Sequence, residues 1–113
     1  MDRAAYQALD EFSYHHRLSR QGGPALVLFS SPTCGTCRQV ERLLPMAAGE
    51  LPLFRVDVQH SPGLARQHEV FHLPALFLYR DGHYHARLEC EIAPAVLRRK
   101  VAEALAGPAE EEP

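Results

Sequence analysis

Three stretches of the sequence predict an α/β fold, a central mixed β-sheet of four or five strands flanked by helices on both faces. Ala25-Leu26-Val27-Leu28-Phe29 is a continuous apolar run without polar alternation, the pattern of a strand covered on both sides. Apolar residues at helical spacing lie before and after it, so helices alternate with strands. Asp81-Gly82 then divides two strand-like runs, which gives an antiparallel hairpin. Alternation plus a closing hairpin is the signature of a mixed sheet between helical layers.

The elements follow in order. Ala5, Leu9, Phe12 and His16 fall on one face at helical spacing, so a helix is expected from Asp2 to about Gln21, stopped by Gly22-Gly23-Pro24. The apolar run from Ala25 is the first strand, and Ser30 to Thr33 form a turn. A second helix starts at Cys34, carries Val40, Leu43, Leu44 and Ala47, is kinked or shortened by Pro45 and stops at Gly49. Leu53 to Val58 reads as a strand, and Pro62 opens a short helix reaching about Val70. Ala75 to Arg80 and Tyr84 to Cys90 are the arms of the hairpin. Ala93-Pro94 opens a last helix with Val96, Leu97, Val101 and Leu105 on its apolar face. Residues 1–107 are expected to form one domain, and 108–113, rich in Pro and Glu, a flexible acidic tail.

Composition narrows the function. A chain of 113 residues, 46% hydrophobic, buries roughly two-thirds of the surface its unfolded form exposes, so its core needs no disulfide staples. Twelve basic against fourteen acidic side chains leave a net charge of −2, which argues against nucleic acid or an anionic membrane as partner. The run Arg98-Arg99-Lys100 reads as a solvated helix face. The longest apolar runs fall far short of the roughly 20 residues that a membrane span requires. Met1 to Glu11 shows no apolar core of a secretory signal, so a cytoplasmic location is expected. In that reducing setting, three cysteines, two of them three apart, point to redox or metal chemistry.

The chemistry concentrates in Ser31-Pro32-Thr33-Cys34-Gly35-Thr36-Cys37-Arg38, between a buried strand and a helix. Free backbone N–H groups and the positive end of the helix dipole favour an anion there, so Cys34 is the expected nucleophile. Two intervening residues bring the second sulfur within disulfide reach, and Cys37, a turn deeper, is expected to resolve a mixed disulfide. The same spacing serves half of a tetrahedral zinc site. No second Cys-x-x-Cys exists and the seven histidines are scattered, which favours the redox pair.

From about residue 6 to 106 the chain resembles thioredoxin. The likeness rests on Val27-Leu28-Phe29 leading into Cys34-Gly35-Thr36-Cys37, on Arg55-Val56-Asp57-Val58, on Leu73-Pro74-Ala75-Leu76-Phe77-Leu78-Tyr79 and on Asp81-Gly82. The resemblance implies a thioredoxin-like fold and a cis Leu73-Pro74 bond packed beside the cysteines. It also implies a substrate groove formed by Thr33, Gly35, Thr36, His72, Leu73, Pro74 and Cys90, with the Leu73 backbone free to pair with an extended client.

The sequence departs from that family in several places. It has no tryptophan, with Thr33 and Ser30 where the family carries two. Thr36 replaces the proline before the second cysteine, and its amide and hydroxyl favour the thiolate, so a less reducing pair is expected. Leu28 stands where the family buries an aspartate that moves the resolving thiol's proton, and Arg55, at a nearby lysine position, is no base. The segment between the pair and Arg55 is shorter, so the second helix is expected to end between Pro45 and Ala48. Cys90 replaces a glycine of the last strand and reads first as core filler, second as a regulatory thiol. His68 with His72 and His83 with His85 have ligand-like spacing but read as solvated side chains rather than a metal site. His72 is expected at the groove's rim, where a charged imidazole would support the Cys34 thiolate.

The reading is a thiol:disulfide oxidoreductase of cell redox homeostasis that transfers electrons to protein disulfides through Cys34 and Cys37, with no bound cofactor and no metal. Its partners would be disulfide-bearing clients and a reductase, either a thioredoxin reductase or the glutathione system. The competing reading is a non-catalytic binding or assembly module, or a redox sensor, holding a client near Pro74.

Overall fold

The computed structural model describes residues 5–113. The elements run β1 (Tyr6–Leu9), α1 (Tyr14–Ser19), β2 (Pro24–Ser30), α2 (Gly35–Ala48), β3 (Leu53–Asp57), α3 (Pro62–Gln67), β4 (Ala75–Arg80), β5 (His83–Leu88) and α4 (Pro94–Ala106). They build one five-stranded sheet in the order β1-β3-β2-β4-β5. β3 runs parallel to both β1 and β2, whereas β4 is antiparallel to β2 and to β5, which makes the sheet mixed.

The apolar run of β2 takes the centre of the sheet, where both faces are covered, and Ala25 to Phe29 are all fully buried. Strand alternation divides them between two cores. Val27 and Phe29 join Tyr14 and Leu18 of α1 and Leu64 of α3 on one face. Leu26 and Leu28 join Leu44 of α2 and Leu97 and Val101 of α4 on the other. The first core is aromatic: Phe77 lies 5.2 Å from Phe29 and 5.1 Å from Tyr84, and the Tyr14 and Tyr79 hydroxyls share a 2.7 Å hydrogen bond. Each such fully buried large side chain contributes about 1.5–3 kcal/mol of transfer free energy.

The expected N-terminal helix is the principal correction. Tyr6–Leu9 is instead a strand in register with Leu53–Val56, and the helix occupies only Tyr14–Ser19. The Asp10 carboxylate causes the break: it accepts from the Phe12 and Ser13 amides at 3.0 and 2.9 Å, an Asx turn that stops the strand before the helix can start. Phe12, assigned by spacing to the buried face, is 94% exposed. Residues 2–4 of that expected helix lie outside the described residues.

Elsewhere the differences are at the ends. α2 continues through Pro45 to Ala48 and stops at Gly49, whose φ of +65° suits glycine. α3 ends at Gln67, short of Val70. Asp81 and Gly82, both at positive φ, form the hairpin turn. β5 ends at Leu88, so Cys90 lies two residues beyond the strand rather than on it. An irregular register at Leu78 and Tyr79 makes His85 the unmatched residue of β5, and its Nε2–H donates to Ala104 O at 2.6 Å. His83 is exposed and His85 buried, which separates that pair. Beyond α4, residues 108–113 form no helix or strand; the chain returns to β5, where the Glu110 amide donates to His85 O at 2.7 Å. No helix among the described residues is long and apolar enough to cross a membrane.

Candidate active site

Cys34 caps the N-terminus of α2 from an extended backbone (φ −98°, ψ 113°), and its Sγ accepts the Cys37 amide N–H at 3.2 Å. The local sequence produces this arrangement. Pro32 cannot donate a hydrogen bond, the Thr33 amide donates to Ser31 Oγ at 3.3 Å, and the Cys34 amide donates to Ser31 O at 3.2 Å. The resulting turn delivers the chain from the end of β2 to the helix with the first sulfur at the cap. The first sulfur therefore sits, partly exposed, at the start of a 14-residue helix with a backbone N–H donor against it.

The two sulfurs differ in setting. Both are free thiols; Cys34 is partly exposed and Cys37 fully buried. Burial first, and then the hydrogen bond with Cys34, push the Cys37 thiol up to about 12; the Ser31 backbone works against this and the Glu41 charge adds to it. Cys37 therefore rests as a thiol at neutral pH.

Of the other expected site residues, Thr33, Gly35 and Thr36 are exposed around Cys34. Thr33, at the place of an expected family tryptophan, accepts from Gln59 Nε2 at 3.1 Å and so ties this turn to the loop after β3. The Leu73–Pro74 bond is cis. Beside it opens a cavity of about 310 Å³ lined by His72, Pro74, Cys90, Val40, Arg87 and, at the sheet, Leu28. His72 and Cys90 thus share one cavity with Pro74, and burial raises the Cys90 thiol above its ordinary value. His68 belongs elsewhere: it is 1% exposed, sits in the aromatic core 4.8 Å from Tyr14, and is separated from the exposed His72. Its place in the core corrects the reading of a solvated ring. Among the described residues no three His, Cys, Asp or Glu side chains gather as metal ligands.

Two residues escaped the sequence reading. Phe71, 77% exposed, precedes His72 and puts an aromatic face next to the cavity-lining segment. Glu41, 2% exposed, is a buried carboxylate on α2; its Oε2 accepts from Ser30 Oγ at 2.7 Å and lies 3.5 Å from Arg55 Nη1. The signal for Glu41 was present, since positions 37, 41, 44 and 48 form the buried stripe of α2 and an acid on that stripe needs an explanation.

The sequence profile of the thioredoxin family matches residues 5–103. A thioredoxin of Mycolicibacterium smegmatis is 29% identical over 108 residues, covering 90% of this chain and 96% of that one. The thioredoxin of Mycobacterium tuberculosis is 31% identical over 84 residues, 71% of this chain and 72% of its own. That of Chlamydia trachomatis is 36% identical over 63 residues, 53% of this chain, and the match spans 62% of the relative, just under two-thirds of its length. Among solved structures, the zinc-bound form of human ERp44 superposes with a TM-score of 0.75 at 17% identity, over 87% of this chain and 31% of that one, a likeness of fold.

Proposed function

The chain belongs to the thioredoxin family, and from that premise we propose that it is a thiol:disulfide oxidoreductase that reduces or exchanges protein disulfides. The observation that carries the reading is the asymmetric pair at the start of α2: a partly exposed Cys34 whose sulfur accepts an amide N–H, and a buried Cys37 held as a thiol. In the first step the Cys34 thiolate attacks a client disulfide, forming a mixed disulfide and expelling one client thiolate. In the second, Cys37 attacks Cys34 Sγ. The Cys34–Cys37 bond forms, the bond to the client breaks, and the second client sulfur leaves with the electron pair. The client has gained two electrons and the protein has lost two, so this half of the cycle needs only the two cysteines.

The cavity lined by His72, Pro74 and Cys90 supports a client groove, which in this reading Leu73 and the exposed Thr33, Gly35 and Thr36, none of them in the cavity wall, extend. The partners in this reading are disulfide-bearing proteins and a reductase, flavin- or glutathione-linked, that restores the dithiol. A reducing compartment, the cytoplasm, suits a protein whose three cysteines are all free.

Reduction of a generic disulfide-bonded protein by the wild type, Cys34→Ser and Cys37→Ser tests the assignment. Turnover should vanish in Cys34→Ser, and Cys37→Ser should trap a mixed disulfide with the substrate. A wild type that forms no mixed disulfide and does not turn over would overturn the enzyme reading in favour of a binding module that uses the same groove.

A further inference from the structure

A carboxylate taken out of water costs several kcal/mol unless its surroundings compensate, so a buried acid one turn from a reacting thiol calls for a reason. Glu41 is four residues beyond Cys37 on the same buried face of α2, which sets the two Cβ atoms about 5–6 Å apart. Beneath that face lies the end of β2, where Leu26, Leu28 and Ser30 alternate toward α2. Leu28 is in register with Arg55 of β3, and the chain supplies no acid from the strand at that point. The acid comes from the helix above. Ser30 donates its hydroxyl to Glu41 Oε2 at 2.7 Å, Arg55 approaches the same oxygen at 3.5 Å, and Tyr6 of β1 donates its hydroxyl to the Glu41 backbone O at 2.8 Å. Among the described residues, then, the groups facing Glu41 are Cys37 on its own helix, Ser30, Arg55 and Tyr6. Both side-chain contacts fall on Oε2, which leaves Oε1 as the oxygen to receive a proton.

We propose that Glu41 is the proton acceptor for Cys37 in the resolving step, a role that rests on the thiol–disulfide reading given above. As Cys37 Sγ attacks Cys34 Sγ, the Cys37 S–H bond breaks and its proton passes to the Glu41 carboxylate. The Cys34–Cys37 bond forms, and the client sulfur departs as a thiolate that is protonated from solvent. Glu41 then returns its proton to a water molecule entering beside Arg55, whose side chain is 14% exposed and whose guanidinium, lacking an acceptor, takes no proton itself. Ser30 and Arg55 hold the carboxylate in place and are positioning residues. The arrangement also explains how a chain with leucine at position 28 deprotonates a buried thiol.

The test follows a single turnover of the full-length protein with a disulfide-bonded protein substrate, acid-quenched and analysed by mass spectrometry from pH 5 to 10. In Glu41→Gln the mixed disulfide should form at the wild-type rate but decay about 10²-fold more slowly near neutral pH, converging on the wild type in alkali, where hydroxide removes the Cys37 proton. Glu41→Asp should restore part of the rate. A purely structural role would leave the shape of the pH profile unchanged and would not distinguish the two steps. If Glu41→Gln does not fold, Glu41→Gln with Arg55→Met removes both charges and is expected to show the same slow decay. Wild-type decay in either folded variant across the pH range refutes the proposal while leaving the enzyme reading intact; a wild type that forms no mixed disulfide refutes that reading instead.

Discussion

Replacing Glu41 and Arg55 separately and together asks what the buried ion pair costs the fold. At 3.5 Å and an effective dielectric constant near 20, the attraction between the two charges is about 5 kcal/mol. Removing both from water costs several kcal/mol per ion, so the pair comes out close to break-even against apolar side chains of similar size. The single variants are not equivalent, because the Glu41 side chain is 3% exposed and that of Arg55 14%. Glu41→Leu leaves a cation that reaches water and an unpaired Ser30 hydroxyl, and should cost about 2 kcal/mol. Arg55→Met strands the deeper carboxylate on one hydroxyl and should cost about 4 kcal/mol. The double variant should lie within about 1 kcal/mol of the wild type, giving a coupling of about 5 kcal/mol, the size of the gross attraction. Urea unfolding of the reduced protein reads these values by far-UV circular dichroism, since the chain has no tryptophan to report on its core. Additive single effects, with the double variant about 6 kcal/mol down, would refute the reasoning, as would an Arg55→Met variant as stable as the wild type. A double variant that is stable yet slow to resolve its mixed disulfide would separate the pair's chemistry from its part in folding.

Three further outcomes are expected. Burial holds the His68 pKa below its ordinary value of 6.5, with the Leu64 carbonyl and Glu112 opposing and His15 adding to the shift. The sign is that of a depressed group: its stability contribution is complete above about 6.5 and is lost as pH falls through the lower folded value, so His68→Phe should flatten the decline of the urea midpoint in acid. An identical acid slope in both proteins would contradict this. Iodoacetamide at pH 7.5, followed by peptide mapping, should label Cys34 first, Cys90 slowly because burial raises its thiol, and Cys37 least; labelling of Cys90 as fast as Cys34 would make it a third reactive thiol. In a glutathione equilibrium the pair should lie on the oxidising side of thioredoxin's potential of about −270 mV, and Thr36→Pro should move it back toward that value; no movement would remove Thr36 as the cause.

The legible parts of the molecule were those written in local chemistry. The apolar run of β2, the cysteine spacing and Asp81-Gly82 each specify their structure within a few residues, whereas the cis bond before Pro74 was implied by the family resemblance. β1 was not legible, because Tyr6–Leu9 becomes a strand only by pairing with β3, forty-seven positions away in register, while its spacing imitates a helix face. His68 looked solvated because its burial depends on Tyr14, Phe29 and Phe77 converging from three other elements. Glu41 was legible in principle. An acid on the buried stripe of α2, four residues after a cysteine, is a conflict between pattern and polarity, and such conflicts concentrate where a fold does chemistry.

The return of the chain over β5 has a consequence for association. An outermost strand offers a row of unsatisfied amides and carbonyls to any extended segment, from a client or from another copy. Here the Glu110 amide occupies the His85 carbonyl, and Glu110 Oε1 accepts the Arg87 amide at 3.1 Å, so both kinds of group on that border are already engaged within the chain. The opposite border is β1, only four residues long. Strand-like capture of a client or of a second copy is thereby steered away from the flanks of the sheet.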